Sequence, residues 1–212
     1  MARLLTIYLL LSSLLFCSSG CTAIKQLKVM DTFTNCPPIY EQRITTATYN
    51  TQIDFAKKHF SGLLVFKALD DTTKRVVFIT ETGFKFFDFE FTPNRFRVVY
   101  ILPNLNKKII VKTFQKDLGY LLLPINSKQA RVELSDAMQT ILKFPQKGSR
   151  ANYYYADKKC NSLQKIESGT NKKKSLSISV EGFKNENFET VKITHHGFPL
   201  SILLKQVEKE DK

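Results

Sequence analysis

From residue 62 onward the chain alternates short apolar runs with turn-forming residues. "GLLVFKA" (62–68), "KRVVFIT" (74–80), "FKFFDFEF" (84–91) and "RFRVVYIL" (95–102) are rich in β-branched and aromatic residues. The segments between them, "LDDTT", "ETG" and "TPN", are turn signals. Connections this short join antiparallel strands. Alternation is impure: Phe87, Phe89 and Phe91 share one face, while Phe84 and Phe86 fall on the other with Asp88 and Glu90. Val77 and Ile79 likewise oppose Val76 and Phe78. A half-solvated strand would carry polar residues along one whole face. A helix or a hydrophobic ligand is therefore expected to cover the second face.

The period then changes. In "NLNKKIIVKTFQKDLGYLLL", Ile110, Phe114, Leu118, Leu121 and Leu122 form a helical stripe that Pro124 stops. "LSDAMQTILKF" (134–144) reads as a second helix, with Ser135 as N-cap and Met138, Ile141 and Leu142 on one face; a strand is its main competitor. Upstream, Ile53, Ala56, Lys57 and Phe60 suggest a short amphipathic helix ending before Gly62. Strands resume after Gly148 with "NYYYAD", "NSLQKIES", "SLSISVEGF", "FETVKITHH" and "FPLSILLKQVE". In "SLSISVE" the residues Leu176, Ile178 and Val180 alternate with serines, the mark of a strand with one buried face. Strands, a helical insert and more strands imply a mainly β, α+β fold: one curved antiparallel sheet with helices on its concave face.

The N-terminus changes the picture of where this domain works. Arg3 precedes the apolar run Leu4 to Phe16, and small residues follow. That order reads as a signal peptide over 1–20; a run of about 13 residues is too short for the ~20 of a spanning helix. Ser18-Ser19-Gly20-Cys21 resembles the lipobox of bacterial lipoproteins, in which the Cys takes a diacylglyceryl group and becomes the first residue. Lipidation, with palmitate among the expected acyl groups, is thus assigned to Cys21. Residues 21–44 read as a lipid-anchored tether and 45–212 as the folded domain. Of four cysteines, Cys17 leaves with the signal and Cys21 carries lipid, so Cys36 and Cys160 remain as a candidate disulfide. Such a bond would close a loop of about 120 residues.

Charge is strongly one-sided: 32 Lys and Arg against 19 Asp and Glu, a formal net charge of +13. The balance favours anionic surfaces, and export to a cell envelope points to membrane rather than nucleic acid. The run Lys172 to Lys174 reads as a solvated hairpin turn that can also touch anionic headgroups. Nothing supports catalysis or a resident cofactor. His195 and His196 are strand neighbours facing opposite ways, so they do not suit one metal, and no nucleophile elbow or phosphate-cradling Gly loop occurs.

The order of elements resembles the LolA/LolB-like superfamily of envelope lipoprotein carriers over about 45–208, in "FSGLLVF", "FDFEF", "LGYLLLP" and "ITHHGFPLSILL". The resemblance implies an incomplete antiparallel β-barrel lidded by helices, with a hydrophobic cavity for acyl chains and no catalytic residues. The LolB type implies a monomeric lipoprotein of the Gram-negative outer membrane that accepts lipoproteins from a periplasmic carrier and inserts them. On this likeness Phe66, Phe78, Phe87, Phe89, Phe91, Phe114 and Leu118 become cavity candidates, and Leu105 a candidate for a membrane-delivery loop. The alternative expectation is an envelope lipoprotein that uses the same scaffold as a protein-interaction or assembly module.

Overall fold

The computed structural model describes residues 42–123, 131–135 and 139–208, the second of these for backbone only. The signal peptide, Cys21 and Cys36 lie outside the described residues. Strands β1 (Ala47–Phe55), β2 (Lys58–Ala68), β3 (Lys74–Ile79), β4 (Lys85–Phe91) and β5 (Phe96–Ile101) precede helix α1 (Lys108–Leu122). After it come β6 (Arg131–Ser135), β7 (Gln139–Pro145), β8 (Arg150–Asp157), β9 (Leu163–Thr170), β10 (Lys174–Lys184), β11 (Asn187–His195) and β12 (Leu200–Gln206).

All twelve strands form one antiparallel sheet in the order β5-β4-β3-β2-β1-β12-β11-β10-β9-β8-β7-β6. Two meanders are thus joined where β1 pairs with β12, Tyr49 opposite Gln206 through Phe55 opposite Leu200. Among the described residues β5 and β6 are the two edges of the sheet, and α1 lies in the connection between them. One core cluster holds Phe87 and Phe89 of β4 together with Ile178 and Val180 of β10. Those strands stand six places apart, about 29 Å in a flat sheet. A 15-residue helix with a diameter of about 10 Å touches both halves only because the sheet curls into an open barrel. This is the expected mainly β architecture, lidded among the described residues by one helix.

Two predicted helices are strands. At β1, Tyr49, Thr51 and Ile53 are buried and alternate with exposed Asn50, Gln52 and Asp54. The helical spacing of Ile53, Ala56 and Phe60 spans a tight turn in which Ala56 takes φ 54°. The stretch 134–144 divides between β6 and β7. Ile141 packs with Ala151, Tyr153 and Tyr155 on the outer face, while Leu142 joins the main core. A strand buried on both faces has no period-2 signature to separate it from a helix.

The placement of Phe86 also departs from strict alternation. Phe78 pairs with Phe87, but its neighbour Ile79 pairs with Lys85, so a bulge inserts Phe86. The extra residue turns the side chain out of alternation, and Phe86 stacks on Phe78 at 5.1 Å instead of joining Asp88 outside. Residues 42–44, expected in the tether, pack against the fold. Ile44 is fully buried with its N–H donating to Leu121 O, and the Gln42 amide bonds Asn161 O and Leu163 N. Lys174, expected in a solvated run, is half-buried and pairs with Glu167 at 2.6 Å.

The start of α1 receives no local support: no side chain caps Lys107, and no acid occupies the first turn. Lys107 and Lys108 oppose the helix dipole there. The helix therefore depends on burying Ile110, Phe114, Leu118, Leu121 and Leu122.

On the outer face, the Arg75 guanidinium grips buried Asp88 through Nε at 2.7 Å and Nη2 at 3.0 Å, with Lys85 at 3.3 Å. Burial raises the Asp88 pKa, but the bonds from Arg75 and Lys85 outweigh it and leave the carboxyl below its ordinary value. A depressed folded pKa gives stability that is complete above the unfolded value of about 3.9 and is lost as pH falls through the folded value. Urea unfolding midpoints should therefore fall as pH drops below about 4. In Asp88→Asn that acid dependence should shrink, and stability at neutral pH should be lower. An unchanged pH profile in the variant would remove Asp88 from the acid transition.

Candidate functional site

The concave face of β1–β4 and the N-terminal half of α1 enclose an apolar cleft. Phe60, Phe78, Phe86 and Phe87 form its wall, Ile110 and Phe114 its roof, and Leu105, Phe198 and Leu200 its rim. The one polar side chain lining it, Thr113, donates its hydroxyl to Ile109 O. Its void is about 40 Å³, little more than one water's share of about 30 Å³. Aromatic rings fill the rest: Phe60–Phe86 centroids are 5.5 Å apart, Phe78–Phe87 5.6 Å and Phe87–Phe114 5.0 Å. A ligand entering here must displace rings or lift the helix.

How α1 is held decides which way it can lift. Its side-chain hydrogen bonds to the sheet all go to the later strands among the described residues. His195 of β11 meets Asp117 at 2.7 Å, Tyr120 OH donates to Asn152 Oδ1 of β8 at 2.9 Å, and Lys116 Nζ donates to Ser168 Oγ of β9 at 3.3 Å. The Ile44 N–H adds a bond at Leu121 O. Toward β3 and β4 the helix offers only apolar contact, such as Phe114 on Phe87 and Phe89. The helix is thus fastened by polar bonds along one side and rests on greasy rings along the other, where the cleft lies.

Asp117 is the site residue that the sequence reading missed. Its side chain is fully buried, Oδ2 accepts from His195 Nε2–H, and Oδ1 has no partner. The signal was an acid standing on the same helical face as Phe114, Leu118 and Leu121. His196 bonds Ser177 on the other side of the strand at 2.9 Å, so the two histidines do diverge. Among the described residues no cluster of His, Cys, Asp or Glu suits a metal ion.

A wider opening of about 770 Å³ lies at the other end of α1, beside the open edge of the barrel. Phe91, Phe96, Tyr120, Leu123, Phe144 and Tyr154 form its apolar floor; Arg95, Lys112 and Lys116 stand at its rim. Burial pushes the Tyr154 and Tyr120 hydroxyls up. Burial, then nearby Arg150, pushes the Lys116 ammonium down.

Of the seven cavity candidates, Phe78, Phe87 and Phe114 line the closed cleft and Phe91 lines the wide opening. Phe66, Phe89 and Leu118 are core residues packed around them. Leu105 sits half-buried in the turn before α1 and lines the cleft; it does not protrude. The apolar side chain that projects near it is Ile109, 62% exposed. Cys160 is buried and disulfide-bonded.

No family profile and no curated protein sequence matches this chain. Solved structures do resemble it. A LolA superfamily protein from Nitrosomonas europaea shares 11% identity over 82% of this chain and 90% of its own, with a TM-score of 0.50. A putative outer membrane lipoprotein-sorting protein domain from Vibrio parahaemolyticus shares 12% identity over 76% and 82%, with a TM-score of 0.46. The first likeness gives this chain the LolA-superfamily fold, an open antiparallel barrel closed over by a helix.

The Asp117–His195 pair yields a stability test. His195→Leu strands a fully buried carboxylate, a change that costs about 3–5 kcal/mol. Adding Asp117→Leu should recover most of that loss, since apolar residues replace buried ion pairs at little cost. Urea denaturation of the single and double variants measures both; additive losses would mean that the two side chains do not act as a pair.

Proposed function

We propose that this chain is an envelope carrier that shelters acyl chains between α1 and the Phe-rich face of its sheet. One observation carries the reading: an apolar cleft, whose one polar side chain is turned to a helix carbonyl, lies under a helix that polar bonds hold along one side only. An acyl chain makes no hydrogen bonds, so its affinity comes from apolar area at about 25 cal/mol per Å². Wall residues without polar groups are what such a ligand needs, and no catalytic side chain is required. In the finer form of the proposal, Cys21 carries the lipid anchor in the outer membrane, Cys36 pairs with Cys160, and the domain accepts lipoproteins from a periplasmic carrier and inserts them, as the LolB type does.

A second reading is favoured by β5. This edge strand exposes Val98, Val99 and Tyr100, and unpaired edges invite strand addition from a protein partner. Here the scaffold would serve as an interaction module.

The full chain carrying Cys21→Ser, which cannot be lipidated, separates the two. It should bind a fluorescent fatty acid, and Phe86→Asp with Leu105→Asp at the cleft should weaken binding at least about tenfold while the circular dichroism spectrum is kept. Failure to bind any acyl probe, together with capture of one protein partner that Tyr100→Lys abolishes, would replace the carrier by the module.

A further inference from the structure

Resting on the carrier reading, we infer that the groove outside α1 holds the anionic headgroup of the carried molecule, making the ligand an acidic amphiphile. Lys108, Lys112 and Lys116, one helical turn apart, line an open groove of about 480 Å³ with Ile109, Thr113, Asp117 and His195. This groove and the apolar cleft share Thr113, and the adjacent residues Ile109 and Ile110 line one each. A chain in the cleft therefore brings its head to the lysine row within about one turn of helix, or 5.4 Å.

Charge sets the sign of that head. From Phe91 to Lys116 the sequence contains no Asp or Glu, against Arg95, Arg97, Lys107, Lys108, Lys112 and Lys116. Arg97 is neutralised by Glu90 at 2.7 Å. Asp117, the one acid lining the groove, is bonded to His195. Among the described residues, none of the three lysines in the row has a carboxylate within 4.0 Å. Burial and nearby Arg150 hold Lys116 below its ordinary pKa, against the opposing pull of Asp117. A groove with three ammonium groups to one carboxylate is predominantly positive and attracts anions, and an ammonium row receives a carboxylate or a phosphate equally well as a point charge.

Matched probes test this on the full chain with Cys21→Ser: palmitic acid, hexadecyl phosphate, hexadecanol and inorganic phosphate alone, each displacing a fluorescent fatty acid. Both acidic amphiphiles should bind about tenfold more tightly than hexadecanol, the sum expected of three exposed charge contacts. Added salt should narrow that gap, and Lys108→Gln/Lys112→Gln, which spares the Lys116 bond that holds α1, should narrow it too while leaving hexadecanol unchanged. Equal binding of hexadecanol and palmitic acid overturns the headgroup site but leaves the carrier standing. So does a double variant that weakens hexadecanol as much as the acids. Displacement by inorganic phosphate at the concentrations that suffice for hexadecyl phosphate would make this a free-anion site instead. Binding of none of the amphiphiles removes the carrier reading and the headgroup site together.

Discussion

Apolar side chains on the concave face of a curled sheet must be kept from water, and α1 is the one helix among the described residues that does so. It has no cap at its start, and its first turn carries lysines against the dipole, so little of its stability is its own. Burial of Phe114 and its neighbours holds the helix to the sheet, and the sheet in turn needs the helix to cover Phe78, Phe87 and Phe89. This mutual dependence links fold to function. A lid that exists because of one apolar contact can exchange that contact for another of the same chemistry. The transfer free energy per unit of apolar area is the same whether a ring or an acyl chain supplies it.

The asymmetry of the fastening gives the exchange a direction. Asp117, Lys116 and Tyr120 bond to β11, β9 and β8, whereas the cleft lies toward β3 and β4. In the proposed carrier, rotation about the polar side is the movement that would widen the cleft while keeping those bonds. In that proposal the void of about 40 Å³ is the closed state of the site. The 770 Å³ opening at the barrel edge is space that exists without such movement.

Much of the fold was legible where one physical signal dominated. The strands from Gly62 to Leu102 were bounded by turn residues, and the stripe from Ile110 to Leu122 had a helical period with Pro124 behind it. Reading failed where two signals competed. Ile53, Ala56 and Phe60 match a helix only by bridging the turn at Ala56, and the cleaner alternation of Tyr49, Thr51 and Ile53 was passed over. The pair Ile141 and Leu142 is apolar because the sheet is covered on both faces there, which no local pattern reveals. The bulge at Phe86 depends on pairing with Phe78, a tertiary fact. For the candidate site, aromatic content pointed to Phe78, Phe87 and Phe114, which line the apolar cleft, but Asp117 and the lysine row became meaningful only once α1 was placed on the sheet.

The central claim is that ligand lifts α1 from β3 and β4 while its polar side stays in place. Spin-label distances measured with and without a fatty acid test it directly. One label pair joins Phe84, before β4, to Ile109 on α1; the other joins Gln115 on α1 to Lys192 on β11. The account predicts that the Phe84–Ile109 distance lengthens on binding while the Gln115–Lys192 distance stays nearly constant. Binding with neither distance changed, or with both lengthened alike, would contradict it.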